Sequence, residues 1–350
     1  MRPLRIGLVY ETFETYPRRT ADPLDVHVEF EPETTIEGLE AAILHLGHRP
    51  VRLGSPHALL AGLAREGGGS DPLGVDVAFN LAEGLGGRNR EAWAPVLLEM
   101  GGIPTIGSDA LSLSFSLDKA WTNRWLAAAG VPVAPQTTFA SAEEAEREEL
   151  PAPFPLFVKP RWEGTAKGIL ASSLVTSRAE LVREVVRIVT DYDQPALVEA
   201  FLPGAEYTLT LIGNDPPEVL PALQRALERK TGIGLHALEG AGRAGDGDLE
   251  HETRGILEPE LESRLGELAR LAFEALECRD FARVDFRLDA SGRPVFLEIN
   301  PLPTFAGDGT FGILAELEGV TLSEMLGRCI LAGLERLGLT KDREDGRRAP

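Results

Sequence analysis

Cysteine is nearly missing from this chain: its 350 residues hold two, Cys278 and Cys329. They lie far apart and form no Cys-x-x-Cys pair. That argues against a disulfide framework and against a thiolate zinc site, and makes a reducing cytoplasm the expected compartment. Positive charge is scarce as well. There are 35 Lys and Arg against 55 Asp and Glu, for a formal net charge of −20. A nucleic-acid backbone or an anionic membrane needs basic patches, so neither is an expected partner. A small phosphorylated ligand needs only a few local lysines. Long apolar runs are missing too. "MRPLRIGLVYETF" at the N-terminus has an apolar run of about five residues, too short for a signal-peptide core. It reads as a first buried strand. No stretch approaches the ~20 apolar residues of a membrane helix. What remains is ordinary for a soluble globular protein, 43% apolar and 26% charged. The length allows two or three packed units.

The order of elements predicts an α/β chain. "RIGLVYE" reads as a strand, and "TTIEGLEAAILHLGH" as a helix with Ile36, Leu39, Ile43 and Leu46 on one face. Thr34 and Thr35 offer caps, and Gly47 a stop. "VDVAFNL" is a second strand and "REAWAPVLLEMGG" a short helix ending in glycine. This alternation predicts a parallel-sheet unit over residues 1–107. A second unit is expected over 108–198. It takes in a helix ending at Gly130, the strand "LFVKP", the glycine-bracketed "EGTAKGIL" and an amphipathic helix through Leu181, Val185, Ile188 and Val189. A third is expected over 199–338, opening with two strands around a turn in "PALVEAFLPGAEYTLTLIGN". It includes a glycine-rich loop over 235–255 and the helix "LEPELESRLGELARLAFEALE". A charged tail covers 339–350.

The most informative segment is "ARVDFRLDASGRPVFLEIN", which reads as a β-hairpin. Alternation puts Val284, Phe286 and Leu288 on one face and Arg283, Asp285 and Arg287 on the other. On the second strand Val295, Leu297 and Ile299 share one face, and Phe296, Glu298 and Asn300 the other. With a turn at residues 290–293, Asp289 pairs with Pro294, Asp285 lies opposite Glu298, and Arg283 opposite Asn300. Such partners stand about 5 Å apart. Two carboxylates that close repel unless a cation lies between them. Mg²⁺ is the economical one, since it favours one or two carboxylates, an amide oxygen and nucleotide phosphates. The competing reading is a solvated hairpin face on which Arg283 neutralises one acid. Spacing alone does not choose. Pro301 and Pro303 stiffen the chain beside the pair.

Other signals are weaker singly. In "FVKPRWEGTAKGI", Lys159 ends an apolar strand, and Gly164 and Gly168 bracket a loop whose N–H groups, with the Thr165 hydroxyl, suit phosphate. Taken alone, the segment reads better as a plain hairpin turn, and no Gly-x4-Gly-Lys-Ser/Thr loop is present. Lys119 follows an apolar stretch and alone reads as a surface lysine. Glu199 ends another apolar strand, with Glu206 seven residues on. Free backbone beside a carboxylate suits an adenine amino group, but taken alone the segment reads better as a solvated turn.

Together the segments "GIPTIGSDALSLSFSLDK", "FVKPRWEGTAKGI", "LVEAFLPGAEYT", "LECRDFARVDF" and "FLEINPLP", in that order, resemble the ATP-grasp superfamily. Within it they resemble the D-alanine–D-alanine ligase-like group. The resemblance runs from "VAFNLAEG" to the last helix. It implies an N-terminal parallel-sheet unit followed by two α+β units that grip ATP between them. By that resemblance, Lys119 and Lys159 hold the phosphates, and Glu163, Thr165 and their loop cover them. Glu199 accepts from the adenine amino group, the backbone of Ala200, Phe201 and Leu202 forms the hinge, and Glu206 takes the ribose. Asp285, Glu298 and Asn300 bind Mg²⁺, usually two ions, with Mn²⁺ as an alternative. Arg283 stands at the transferring phosphate and Lys230 matches a lysine near the γ-phosphate. The implied partners are a small carboxylate and an amine, joined through an acyl phosphate. A homodimer is common in such proteins.

The amino-acid half departs from that pattern. The family's Glu-His-Glu-Val-Ser is replaced by "VEFEPETT", where Glu29, Glu31 or Glu33 is available for an ammonium and Glu31 is the one carried forward. Glu83 stands in place of a histidine, and Arg88, Asn89, Arg90 and Glu91 replace an acidic turn. Thr304 replaces the glycine after the second proline, and "AGDGTF", with Asp308, replaces a serine–leucine pair. These changes disfavour D-alanine as second substrate. The expectation is therefore a carboxylate–amine ligase with altered substrates. Three alternatives stand beside it: an authentic D-alanine–D-alanine ligase, a non-ligating nucleotide-binding protein, and a kinase that stops at phosphoryl transfer.

Overall fold

Strands and helices alternate through the first hundred residues and close into a parallel sheet. A computed structural model of the chain describes residues 2–18, 20, 22–25, 27–65, 73–225, 227 and 257–340. The expected loop over 235–255, Lys230 and the tail 341–350 fall outside them. Strands β1 (Arg5–Val9), β2 (Arg49–Gly54), β3 (Val77–Asn80) and β4 (Thr105–Ile106) alternate with helices α1 (Glu33–His45), α2 (Pro56–Arg65) and α3 (Trp93–Met100). All neighbours pair parallel in the order β2-β1-β3-β4. After β1 the chain crosses to one side of the sheet and after β3 to the other. A crevice must open where those exits diverge, at the C-terminal ends of β1 and β3. Thr34 and Thr35 do not cap α1. Its N-cap is Pro32, and the Thr35 hydroxyl donates to Glu31 Oε2 at 3.0 Å instead.

The helix expected to end at Gly130 is α5 (Lys119–Ala128), and a separate helix that the sequence reading did not assign, α4 (Ala110–Leu117), runs into it. Asp118 separates the two. Its carboxylate accepts the Trp121 N–H at 3.2 Å as an N-cap. It also takes a two-pronged bond from Arg161, 2.7 Å on each oxygen. Lys119 is thus the first residue of a helix pinned to the end of the next sheet. That sheet is antiparallel, β5-β8-β6-β7, from β5 (Gln136–Phe139), β6 (Leu156–Pro160), β7 (Leu174–Val175) and β8 (Ala196–Ala200). Helices α6 (Ala142–Arg147) and α7 (Arg178–Tyr192) belong with it. Leu181, Val185 and Ile188 of α7 pack on Val158 and Val198 of the strands.

A five-stranded antiparallel sheet follows: β9 (Glu206–Ile212), β10 (Glu218–Val219), β11 (Leu223–Arg225), β12 (Phe281–Leu288) and β13 (Pro294–Asn300). Helix α8 (Pro259–Ala275) packs Leu265, Leu268 and Phe273 against it. Strands β8 and β9 were expected to flank one turn. They do, but they join different sheets, so the segment between them links two sheets and is not a hairpin loop. Two last helices, α9 (Thr310–Glu318) and α10 (Leu322–Arg336), return to the first unit, where Leu326 and Ile330 share a core with Leu39 and Ile43. Phe305, buried just past the proline pair, is ringed by Phe79, Phe281 and Phe311. That anchor fixes the "PLPTF" loop between the first and third units.

The β12–β13 register places Asp285 opposite Glu298 and Arg283 opposite Asn300. The turn end differs: Leu288, not Asp289, pairs with Pro294, and a bulge restores the register before Glu298. The bulge also corrects the predicted faces. Phe296 joins Ile299, Val284 and Phe286 in the core, whereas Leu297 packs with Val295, Ala200 and Leu202. The extra residue turns Leu297 toward the same cavity as Glu298. Bulges commonly re-aim side chains next to sites.

Candidate active site

A cavity of about 800 Å³ lies where the three sheets meet. Every described residue carried forward from the sequence lines it, from Glu31 and Glu83 of the first unit to Thr304 and Asp308 past β13. Glu29 lines it as well. Glu33 does not; it pairs with Arg52 on the surface side of α1.

One end suits a flat base and a ribose. Ala200, Leu202, Val295 and Leu297 form an apolar patch with Ala134. The Arg287 guanidinium lies 5.2 Å from the centre of the Phe201 ring and 3.6 Å from Glu206. Burial pushes the Glu206 carboxyl above its ordinary range, against the pull of Arg287. Beside it, Lys159 Nζ and Glu199 Oε1 form a buried ion pair at 2.8 Å. Burial alone would lower the Lys159 pKa, but Glu199, and then Glu298, hold it above its usual value. The lysine and the glutamate sit on adjacent strands, β6 and β8, with Phe157 directly opposite Glu199.

The middle of the cavity concentrates charge. Arg283 Nη2 stands 3.1 Å from Asp285 Oδ2 and 3.7 Å from Glu298 Oε1. Lys119 Nζ stands 3.3 Å from the other Glu298 oxygen and also donates to the Glu163 carbonyl. Thr208 Oγ1, directly across from Asp285 on β9, donates to Asp285 Oδ1. Although burial works the other way, Lys119, Arg283 and Lys159 hold the Glu298 carboxyl down at about 2. It is therefore ionised across the whole working range. The predicted repulsion between Asp285 and Glu298 is thus relieved in part by Arg283, which reaches both. The solvated-face reading does not fit, since Asp285 is only 5% exposed.

The donor set fits a hard divalent cation. Two carboxylates face one another and the Asn300 amide follows on the same strand. Asn300 Nδ2 is buried and has no hydrogen-bond partner among the described residues. Among those residues no group of three or more His, Cys, Asp and Glu could hold a metal alone. Two carboxylates and an amide leave most of an octahedral shell for phosphate oxygens and water, as Mg²⁺ sites with nucleotides do.

The third region is the crevice at the ends of β1 and β3. Glu31 accepts from the Thr35 hydroxyl (3.0 Å), the Thr304 hydroxyl (3.1 Å) and the Phe305 N–H (3.2 Å). These partners are all neutral. Burial raises its pKa against those three bonds, and Asp308 raises it further. Glu29 is bound differently. Arg90 Nη2 donates to it at 2.6 Å, the Gly164 N–H at 2.6 Å and Lys167 Nζ at 3.1 Å. Arg90 and Lys167 hold its carboxyl at about 2 despite burial. Arg90, 3% exposed, also meets Glu83 at 3.1 Å. Burial, then Glu91, lifts the Glu83 carboxyl well above its ordinary value, and burial lifts Glu91 to about 7. Sequence reasoning missed Arg90, Lys167 and Arg287 as parts of the site. Arg287 shares the polar face of β12 with Arg283 and Asp285, as strand alternation predicts, but no motif marks it. Arg90 and Lys167 sit in short irregular segments that carry no periodicity.

A parallel unit joined to two antiparallel sheets around a basic and acidic cleft is the ATP-grasp arrangement. The solved structure of D-alanine–D-alanine ligase from Bacillus anthracis complexed with ATP shares the fold, with a TM-score of 0.67 at 19% identity over 97% of this chain and 100% of that one. The sequence profile described as D-ala D-ala ligase C-terminus matches residues 125–331. An uncharacterized protein of Sinorhizobium fredii is 33% identical over 302 residues, 83% of this chain and 84% of the relative. D-alanine–D-alanine ligase from Carboxydothermus hydrogenoformans is 28% identical over 308 residues, 86% and 93% of the two chains. The chain belongs to the D-alanine–D-alanine ligase-like family of ATP-grasp enzymes, ligases that form a carbon–nitrogen bond and release ADP. The family uses ATP and a divalent metal. Among the described residues no helix is long and apolar enough to cross a membrane.

Proposed function

We propose that this enzyme joins an amino acid, through its carboxylate, to an amine other than D-alanine, by way of an acyl phosphate. The observation that carries the ligase half is the charge centre in which Lys119, Lys159 and Arg283 converge on Asp285 and Glu298. Adenine rests on the Leu202 and Leu297 patch, Glu199 and the 200–202 backbone read its edge, and Glu206 takes the ribose. Lys119 and Lys159 neutralise the phosphates under the loop of Glu163 and Thr165. Asp285, Glu298 and Asn300 would hold Mg²⁺, which supplies charge neutralisation on the phosphoryl oxygens. The donor carboxylate attacks the γ-phosphorus, the bond to the bridging oxygen breaks, and ADP leaves. The amine then attacks the acyl carbonyl and inorganic phosphate leaves. Arg283 steadies charge on the transferring group and on the tetrahedral intermediate. No protein nucleophile is needed.

Glu31 is the better ammonium acceptor of the three candidates. Glu29 already has two cations, and Glu33 faces away. Glu31 has only neutral partners, so a substrate ammonium completes it. A pH dependence follows. With its pKa raised, Glu31 is neutral at low pH and gains charge as pH rises. The KM for the donor should fall through that transition, and Glu31→Gln should flatten that limb. A KM–pH profile of both proteins checks this; identical slopes would remove Glu31 from the donor site.

Thr304 and Asp308 carry the substrate change. Thr304 does not simply fill space; its hydroxyl ties Glu31 to the proline loop. Thr304→Gly should shift the preferred amine and raise the donor KM by roughly tenfold, as loss of a supporting partner does, and leave the KM for ATP nearly unchanged. Steady-state kinetics over a panel of amines decides, and an unchanged acceptor profile would remove Thr304 from acceptor selection. Relatives named D-alanine–D-alanine ligase make D-alanine the first member of that panel.

A further inference from the structure

We propose that Asp25 and Glu29 are positioning residues: together they latch the 163–168 loop to the first unit and so set its place over the nucleotide. The inference rests on the reading of that loop as the phosphate cover. The loop is bent in an uncommon way. Thr165 and Ala166 have φ of 48° and 55°, values that side chains other than glycine adopt only when their surroundings hold them. Gly168 ends the bend at φ 77°, and a Cβ there would lie 2.4 Å from Pro160 Cγ, so only glycine fits.

The restraint comes from outside the loop. On one side of the bent pair, the Gly164 N–H donates to Glu29 at 2.6 Å. On the other, the Gly168 N–H donates to Asp25 Oδ2 at 2.7 Å. Lys167 Nζ adds a bond to the second Glu29 oxygen and meets Glu163 at 2.7 Å. Each latch carboxylate is in turn held. Arg90 donates to Glu29, and the Tyr192 hydroxyl donates to Asp25 Oδ1 at 2.9 Å. Arg187 grips the Gly168 carbonyl at 2.7 Å. Thr165 and Ala166 are left lining the cavity. One short stretch of the first unit therefore fixes both ends of the bend. Two residues beyond Glu29 lies Glu31, on the donor side, so the donor site and the loop share one backbone support.

Asp25→Ala is the test variant, because Glu29 substitutions leave the buried Arg90 short of a partner and endanger folding. The full-length protein is used, with hydrogen exchange of peptides covering 163–169 and steady-state kinetics. Asp25→Ala should speed exchange there by about tenfold or more, since a cross-unit bond to a backbone N–H is lost. It should raise the KM for ATP by about tenfold while kcat falls less. Asp25→Asn keeps one acceptor oxygen for the Gly168 N–H, and its amide N–H can donate to the Tyr192 hydroxyl, so it should recover most of both effects, which general loss of stability would not allow. Unchanged exchange at 163–169 in Asp25→Ala would overturn the latch. Faster exchange with an unchanged KM would overturn its role in placing the nucleotide. Absence of protection at 163–169 when wild-type protein binds Mg²⁺–ADP would instead overturn the phosphate-cover reading, and the proposal with it.

Discussion

Glu298→Gln should abolish ADP formation and leave the fold standing. The substitution keeps the shape and removes one charge. That charge is the meeting point of Lys119 at 3.3 Å and Arg283 at 3.7 Å, and it faces Asp285 across the hairpin. Loss of a supporting partner at a metal site costs 10–100-fold, so loss of a ligand should cost more than about 100-fold in kcat. Stability changes less. The side chain is 21% exposed. Lys119 keeps the Glu163 carbonyl and Arg283 keeps Asp285. A fall of a few degrees in Tm is expected, at roughly 2–4 °C per kcal/mol for a domain of 150–250 residues. The depressed pKa fixes the sign: ionised Glu298 stabilises the fold above the ordinary carboxylate range, and that contribution is lost as pH falls toward about 2. An ADP-release assay and a thermal melt decide. Near wild-type turnover would sink the metal assignment.

Lys159→Met should hit stability and nucleotide binding together, and a second change should separate them. Lys159 and Glu199 are a buried pair, 7% exposed each. Removing one partner of such a pair costs about 3–5 kcal/mol because the other charge is left buried alone. Replacing both, as Lys159→Met with Glu199→Met, should recover most of that loss, since well-packed apolar pairs match buried ion pairs in stability. It should not recover ATP binding. The lysine pKa is raised, so the pair's contribution is complete below the ordinary lysine value and is lost only as pH rises through the raised one. Melts and nucleotide titrations at neutral pH therefore compare like with like. A double variant that regains both stability and ATP binding would reduce the pair to scaffolding.

The metal end of the site was legible in the sequence because strand alternation and a short Ser-Gly turn fix cross-strand partners locally. Counting reaches Asp285 opposite Glu298 through a turn set one residue off, an offset that the bulge cancels. Counting does not reach the bulge itself. It is set by Phe296, whose ring packs on Phe286 and whose N–H donates to the Pro132 carbonyl at 2.8 Å, far away in sequence. Asp118 caps α5 locally, but its second function, holding Arg161 and Trp162, belongs to the next sheet. The crevice residues were least legible. Arg90 and Glu29 are 61 residues apart and meet only because the strand order is β2-β1-β3-β4. No periodicity or spacing records such a meeting. The three glutamates at 29, 31 and 33 looked alike in the sequence. Their partners distinguish them: cations for Glu29, neutral donors for Glu31, a surface arginine for Glu33.

The most direct test of the ligase account uses wild-type protein, Mg²⁺–ATP and single amino acids, with hydroxylamine present as a general acceptor. An acyl phosphate reacts with hydroxylamine to give a hydroxamate and phosphate, whatever the natural amine. ADP and the donor's hydroxamate are expected in equal amounts, both dependent on the donor and both lost in Glu298→Gln. Hydroxamate formed with AMP and pyrophosphate, or ADP released with no hydroxamate, would contradict the acyl-phosphate route.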